Sequence, residues 1–166
     1  MRGLVLFIAG ILVGTAVQMG VVQGQSAQPA VRLNHVAISV PNINEALTWY
    51  SDKMGFHEVI RNTNPQGELQ SAYIQVSRDT FLEIQQANAQ RPAGLNHWGL
   101  ETNDIKATAA TFRQRGATVS EPSATPSAFS GGFLANVTDP NSGGRIELSE
   151  QPEATGKLRK ASESWK

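Results

Sequence analysis

The stretch LNHVAISVPNINEALTWYSDKMGF, residues 33–56, decides the fold, because its opening tripeptide Leu-Asn-His returns at residues 95–97. A second match lies near the end of each half, where residues 82–84 (Leu-Glu-Ile) align with residues 146–148 (Ile-Glu-Leu). The first pair is separated by 62 positions (97 minus 35) and the second by 64 (147 minus 83). An internal repeat of this kind predicts two half-domains of about 60 residues built on one plan.

The first half is predicted to begin with a strand and a helix. Apolar residues alternate with others along residues 33–40, so His35 points away from the Val/Ile face of that strand. Residues 43–54 carry apolar side chains at helical spacing, with Asn42 as the cap and Gly55 as the stop. Three further strands are predicted at about residues 56–62, 70–77 and 80–86.

The second half repeats this order. The pattern predicts a strand at residues 95–101 and a helix at 104–115, then strands near 117–120, 132–137 and 145–150. Between two of these strands, residues 121–132 form a long loop of small residues, whose length is typical of a functional flap. The predicted fold class is therefore α+β, with two βαβββ modules, residues 31–88 and 93–150, that form a cup.

Composition excludes several classes of protein. The chain has 166 residues, of which 40% are hydrophobic, and this supports one folded domain with a real core. Its 14 basic and 14 acidic residues give no net charge, so no nucleic-acid partner is expected. The absence of cysteine excludes disulfides, a catalytic thiol and thiolate metal ligands. Any metal must therefore be bound by histidine and carboxylate.

The two ends of the chain differ from the repeat. Residues 1–30 combine an apolar stretch, Gly3–Val17, with a polar tether, which predicts a signal peptide or an uncleaved N-terminal anchor. The domain is thus expected to be exported, periplasmic or secreted, with membrane contact only through an anchor. Residues 151–166 are predicted to form a polar tail with one helical turn or two.

Each half places a histidine on its first strand and a glutamate on its last strand: His35 and Glu83, then His97 and Glu147. Each glutamate is flanked by apolar residues, so both carboxylates lie on the strand face opposite the apolar one. If the sheets curve, the four side chains converge in one cup. Two imidazoles and two carboxylates suit one divalent ion, Zn, Ni, Co, Mn or Fe, with positions open for water or substrate.

The segments 33–56, LNHWGLETNDI at 95–105 and DPNSGGRIEL at 139–148 resemble the vicinal oxygen chelate superfamily, which includes glyoxalase I, bleomycin-resistance proteins and extradiol dioxygenases. The resemblance implies paired βαβββ modules that form a half-barrel around a metal. The ligand set is most similar to that of bacterial glyoxalase I, a lyase. It implies that Glu147 moves a carbon-bound proton while the metal stabilises an enediolate. Glu83 and Glu147 are the candidate catalytic carboxylates.

The resemblance leaves alternatives open. Ser39 and Ala87 stand where glyoxalase I carries an arginine and an asparagine, which argues against glutathione as part of the substrate. His35, His97 and Glu147 alone suit an Fe(II) extradiol-type dioxygenase, although Asn136 replaces the usual tyrosine of that group. Superfamily epimerases generally have glutamine at the position of Glu83. A binding protein of the bleomycin-resistance kind would need no metal. The expected partners are a small-molecule substrate and a second copy in a homodimer.

Overall fold

The computed structural model describes residues 30–165, in which strands and helices follow the predicted order. The elements of the first module are β1 (Val31–Val40), α1 (Ile43–Met54), β2 (His57–Thr63), β3 (Leu69–Ser77) and β4 (Thr80–Gln86). Those of the second are β5 (Gly94–Thr102), α2 (Ile105–Gln114), β6 (Thr118–Val119), β7 (Phe133–Thr138) and β8 (Arg145–Glu150). A third helix, α3 (Lys157–Glu163), follows the repeat. The α+β fold of two βαβββ modules is confirmed.

All eight strands form one sheet in the order β2-β3-β4-β1-β5-β8-β7-β6. Strands β1 and β5 pair antiparallel at its centre, and each pairs parallel with the last strand of its own module. The order of each module is therefore the mirror image of the other about the β1–β5 seam. The sheet does not close, which leaves a cup. The four strands that carry the candidate ligands are the four at its centre.

Helices α1 and α2 cover the outer face of the sheet. The side chain of Asn42 accepts hydrogen bonds from the first backbone N–H groups of α1, and Gly55 ends that helix at a positive φ of 70°. Ile43 of α1 packs against Ile74 and Ile84 of the sheet, and all three are buried. Burial of each such side chain contributes about 1.5–3 kcal/mol. These apolar strand residues thus face the helices, while the four candidate ligands lie on the cup face together with a smaller apolar cluster that includes Tyr73 and Phe81.

The C-terminal segment lies on the cup face. Helix α3 has seven residues, and its Leu158 is 1% exposed. It packs against Ile60, Tyr73 and Phe81 of the first module. The prediction of up to two helical turns thus coincides with α3. The polar tail is docked through Leu158 and Ala161, which are both buried, so it is part of the folded body.

Within residues 30–165, none of the helices combines the length and the apolar character required to span a bilayer. The predicted signal peptide or anchor lies outside the described residues, apart from Ala30.

Candidate metal centre

The four candidate ligands converge at the seam between the modules. Nε2 of His35 on β1 lies 3.1 Å from Nε2 of His97 on β5. Oε2 of Glu83 lies 3.9 Å and 3.5 Å from these two nitrogens, respectively. Carboxylate oxygens of Glu147 lie 3.8 Å from His35 Nε2 and 3.7 Å from His97 Nε2. One chain therefore brings all four together, and His35, Glu83 and His97 form a buried group that could hold a metal.

The spacing of the two imidazoles fits ligation of one ion. Two nitrogens that bind a metal at about 2.1 Å lie roughly 3.0 Å apart in octahedral geometry and roughly 3.4 Å apart in tetrahedral geometry. The observed separation of 3.1 Å between His35 Nε2 and His97 Nε2 falls in this range. The donor set, two neutral nitrogens and two carboxylates, also matches what first-row divalent ions bind.

Asparagines orient both imidazoles. Oδ1 of Asn34 lies 3.0 Å from His35 Nδ1, and Oδ1 of Asn96 lies 2.7 Å from His97 Nδ1. Because an amide oxygen only accepts, Nδ1 of His35 carries the hydrogen and its Nε2 presents a lone pair to the centre. This arrangement is the second-shell support that ligating histidines usually receive.

The network continues outward from the first histidine. Nδ2 of Asn34 donates to Oε2 of Glu101 over 2.7 Å, and Glu101 also pairs with Arg32 at 2.9 Å. Asn34 and Asn96 are the middle residues of the repeated Leu-Asn-His tripeptide. Their position directly before each histidine was the available signal for their orienting role.

Gly99 makes room for the first histidine. It lies opposite His35 in the β1–β5 pairing, and a Cβ at this position would overlap the imidazole ring. No role for this glycine is predicted from the sequence. It permits the close approach of β5 to the ring, so it belongs to the site.

Glu83 is held by neutral donors. Nε2 of Gln85 donates to its Oε1 over 2.6 Å, and the hydroxyl of Tyr73 donates to its Oε2 over 3.3 Å. Burial raises the pKa of Glu83. Burial likewise raises the pKa of Tyr73 well above its ordinary value, so this phenol stays a donor. Both hydrogen bonds fix the direction in which the carboxylate points.

Glu147 instead has a cationic neighbour that the sequence analysis did not single out. Nη1 of Arg145 donates to Oε2 of Glu147 over 3.1 Å and to Oδ1 of Asn136 over 3.1 Å. Nη2 of the same guanidinium lies against the ring of His97. Arg145 reaches His97 because their Cα atoms are partners in the β5–β8 pairing, a proximity that sequence spacing does not reveal.

Burial keeps the histidines neutral and favours a protonated carboxyl. Burial, followed by the charge of Arg145, lowers the pKa of His35 to about 4 and that of His97 to about 3. Burial, followed by the charge of Glu83, raises the pKa of Glu147 to about 7. A divalent ion reverses the penalty on the carboxylates because it supplies the opposite charge in a medium of low dielectric constant. The site is thus electrostatically prepared for a cation.

A cover lies over the first module's side of the cup. The ring of Phe129, in the loop predicted as a flap, stacks on Tyr73 with centroids 5.1 Å apart. This loop is joined to the C-terminal segment, since Lys157 N donates to Ser130 O over 2.9 Å and Thr155 Oγ1 to Gly131 O over 2.7 Å. The loop and α3 therefore cover the cup as one unit.

Comparison with known families identifies the fold and the superfamily. The family model described as the Glyoxalase/Bleomycin resistance protein/Dioxygenase superfamily matches residues 32–148. The chain belongs to this superfamily. The vicinal oxygen chelate resemblance of the sequence is thereby confirmed. No curated protein matches the chain.

Solved structures of the superfamily share the fold. A methylmalonyl-CoA epimerase is 25% identical with a TM-score of 0.59, and the match covers 73% of this chain and 95% of that one. The methylmalonyl-CoA epimerase of Mycobacterium tuberculosis is 20% identical with a TM-score of 0.61, and the match covers 80% of this chain and 97% of that one. A hypothetical protein of Bacillus halodurans C-125 is 20% identical with a TM-score of 0.61, and the match covers 75% of this chain and 96% of that one.

Proposed function

We propose that this chain is a divalent-metal-dependent lyase or isomerase of glyoxalase-I type, which moves a proton between neighbouring carbons of a small oxygenated substrate. The observation that carries the proposal is the convergence of two imidazole nitrogens, 3.1 Å apart, with two buried carboxylates in one cup. Membership of the superfamily supports it, because the superfamily's glyoxalases, epimerases and dioxygenases share this fold.

The residues divide into holding and proton-moving groups. His35, His97 and Glu83 would hold the ion, with Glu147 as the fourth ligand. When bound, the ion supplies a Lewis acid that stabilises negative charge developing on substrate oxygens. Glu147 accepts the carbon-bound proton and returns it to the neighbouring carbon. A ligating carboxylate that leaves the ion becomes a usable base, and burial raises the pKa of Glu147 in the metal-free centre to about 7.

Two alternatives have less support. An Fe(II) extradiol-type dioxygenase would use His35, His97 and Glu147, but Asn136 replaces the usual tyrosine and accepts a hydrogen bond from Arg145. A sequestering protein of bleomycin-resistance kind would need an apolar cup, whereas this cup buries two histidines and two glutamates. Buried ionisable groups are costly unless they are paired or bind a metal, so the polar cup favours the metal-dependent enzyme.

Epimerisation is the second candidate, and the solved methylmalonyl-CoA epimerases favour it. It uses the same elementary step, removal of a proton from a carbon next to a carbonyl, and differs in returning the proton to the opposite face of that carbon. Two carboxylates on either side of one ion, Glu83 and Glu147, could serve the two faces. A glutamate at position 83, where epimerases generally have glutamine, favours the lyase or isomerase.

Metal analysis of the purified full chain tests the metal centre. We expect close to one divalent ion per chain after loading with Zn, Ni, Co, Mn or Fe and dialysis. His35→Ala and Glu147→Ala should each lose the ion, whereas the matched surface variants His57→Ala and Glu58→Ala should retain it. If the wild type binds no metal under any loading, the proposal is wrong.

Proton exchange distinguishes the reaction classes. Loaded protein is incubated in D2O with hydroxyacetone or glycolaldehyde, and the loss of carbon-bound protons is followed by NMR beside metal-free protein. A lyase or isomerase should accelerate exchange. Oxygen consumption with catechol, without proton exchange, would support the dioxygenase. If the metal-loaded protein shows neither proton exchange nor oxygen consumption, the binding protein is the better explanation. A racemic product from a chiral hydroxyketone would support the epimerase.

Export and dimerisation complete the proposal. The apolar stretch Gly3–Val17 supports an exported, periplasmic or secreted protein, and N-terminal sequencing of the mature chain tests it. A homodimer is proposed because members of the superfamily often form dimers, and sedimentation of the purified protein tests it. Neither depends on the chemistry of the centre, since all four donors come from one chain.

A further inference from the structure

The edge of the metal centre carries a cation, Arg145, whose role the proposed reaction leaves open. We propose that Arg145 binds a carboxylate, or another oxygen group with a single negative charge, on the substrate, so that the substrate class is a small monoanionic hydroxy- or oxo-acid. This inference rests on the proposed function. It is carried by the position of the guanidinium, by the charge of the cup and by the geometry of arginine.

Arg145 is more exposed to solvent than the four donors of the site. Its side chain is 39% exposed, whereas those of the four donors are 1–10% exposed. On the opposite side, Phe129 and α3 cover Tyr73. A molecule that approaches the two histidines from solvent therefore meets the guanidinium before it meets the donors.

The net charge of the metal-loaded centre favours an anionic substrate. In the loaded centre the two carboxylates contribute −2 and Arg145 contributes +1, while a histidine that ligates the ion through Nε2 is neutral. A divalent ion adds +2, so the loaded centre carries a net charge of +1. A monoanion neutralises it, and a neutral or cationic substrate does not.

The geometry of the Arg145 guanidinium is suited to binding a carboxylate. The guanidinium already donates to Glu147 and Asn136 through Nη1, and it reaches His97 through Nη2. It therefore lies beside the ion site. Its Nη2 also donates to Oδ1 of Asn96 over 3.4 Å, so a substrate carboxylate would bind the planar fork in place of these protein acceptors. A 2-hydroxy acid could place its hydroxyl at the ion and its carboxylate at the fork. Lysine would preserve the charge and lose the fork.

Binding of glycolate and of its neutral isostere glycolamide to the Co²⁺-loaded full chain tests this inference. Binding is followed through the visible spectrum of the ion, so the measurement does not depend on turnover. We expect Arg145→Gln to weaken glycolate roughly ten- to hundredfold, as for loss of a hydrogen bond to a charged group, and to change glycolamide by less than about twofold. Arg145→Lys should fall between the wild type and Arg145→Gln.

The matched control is Arg61→Gln, which removes the same charge from an exposed arginine that pairs with Glu58 on β2. It should leave both probes unchanged. Equal weakening of glycolate and glycolamide in Arg145→Gln, or no weakening of either, would overturn the anion site while the metal centre stands. If Arg145→Gln does not fold, undiminished glycolate binding by Arg145→Lys would overturn the fork. Failure of the wild type to retain Co²⁺ would instead overturn the proposed function, and the anion site with it.

Discussion

The two modules supply the centre with the same pair of side chains, yet they surround the two glutamates differently. Glu83 receives hydrogen bonds from two neutral groups, Gln85 and Tyr73, at 2.6 Å and 3.3 Å. Glu147 receives one from a cation, Arg145, at 3.1 Å. Tyr73 is buried beneath Phe129, whereas the side chain of Arg145 is 39% exposed. One carboxylate is therefore enclosed by fixed groups, and the other has a partner that can move.

This difference indicates a division of labour between duplicated residues. A carboxylate fixed by buried neutral donors is suited to remain a ligand. A carboxylate whose partner is an exposed arginine is suited to leave the ion and take a proton. The repeat thus accounts for the symmetry of the candidate metal site, and the residues that differ between the modules, such as Tyr73 and Arg145, account for the different roles proposed for the two glutamates.

The largest expected effect separates the two glutamates. Glu147→Gln should slow carbon-proton exchange by about 10²- to 10⁴-fold, the usual contribution of a general base. Glu83→Gln should slow it less, because the amide keeps an oxygen that can ligate the ion. The metal content of both variants is measured first, so that loss of the ion is not taken for loss of the base. Equal slowing in the two metal-loaded variants would show that the roles are shared.

The next effect concerns the cover, which packs on the first module. Leu158 of α3 is 1% exposed between Ile60 and Tyr73, so Leu158→Ala should lower the free energy of unfolding by about 2–5 kcal/mol. The matched control, Leu95→Ala, removes a leucine that is 74% exposed and should change it by less than about 0.5 kcal/mol. Urea unfolding measures both. A cost as small as that of the control would mean that α3 is only loosely docked.

The fold was largely predictable from the sequence because its signals are local or repeated. Alternation along residues 33–40 and helical spacing along 43–54 identify elements without knowledge of their neighbours. The Leu-Asn-His repeat then relates the halves, and the repeated glutamates identify the other two donors. Convergence followed from the rule that alternate residues of a strand share one face.

The missed features depend on contacts between strands and segments distant in sequence. Arg145 faces His97 through the parallel β5–β8 register, and Gly99 faces His35 through the β1–β5 register. Neither register can be read from spacing along the chain. Leu158 was not singled out because it lies in a short, charged segment whose only buried apolar partner within the helix is the small Ala161. Pairing and docking, rather than local propensity, decided all three.

A smaller effect is expected at the asparagines that orient the histidines. Asn34→Ala and Asn96→Ala should each weaken metal binding by about 10- to 100-fold, as is typical when a ligand loses its second-shell partner. Asn34 should have the larger effect, since it also donates to Glu101 over 2.7 Å. Asn141→Ala, in an exposed turn, is the control. Titration of the metal-free protein with Zn²⁺ against a competing chelator measures the affinities, and unchanged affinity in both variants would show that packing alone orients the rings.

The smallest expected effect is the change in metal affinity for each unit of pH. Below the Glu147 pKa of about 7, the ion must displace a proton from this carboxyl, so affinity should fall by about tenfold for each pH unit below 7. The histidines add no competition until about pH 4, because burial keeps them neutral to that point. In Glu147→Gln this proton is absent, and only Glu83, whose pKa is also raised, competes. The decline should therefore become shallower in the variant. A wild-type affinity that is constant from pH 7 to pH 5 would mean that Glu147 does not exchange its proton for the ion, and would contradict its role as the fourth ligand.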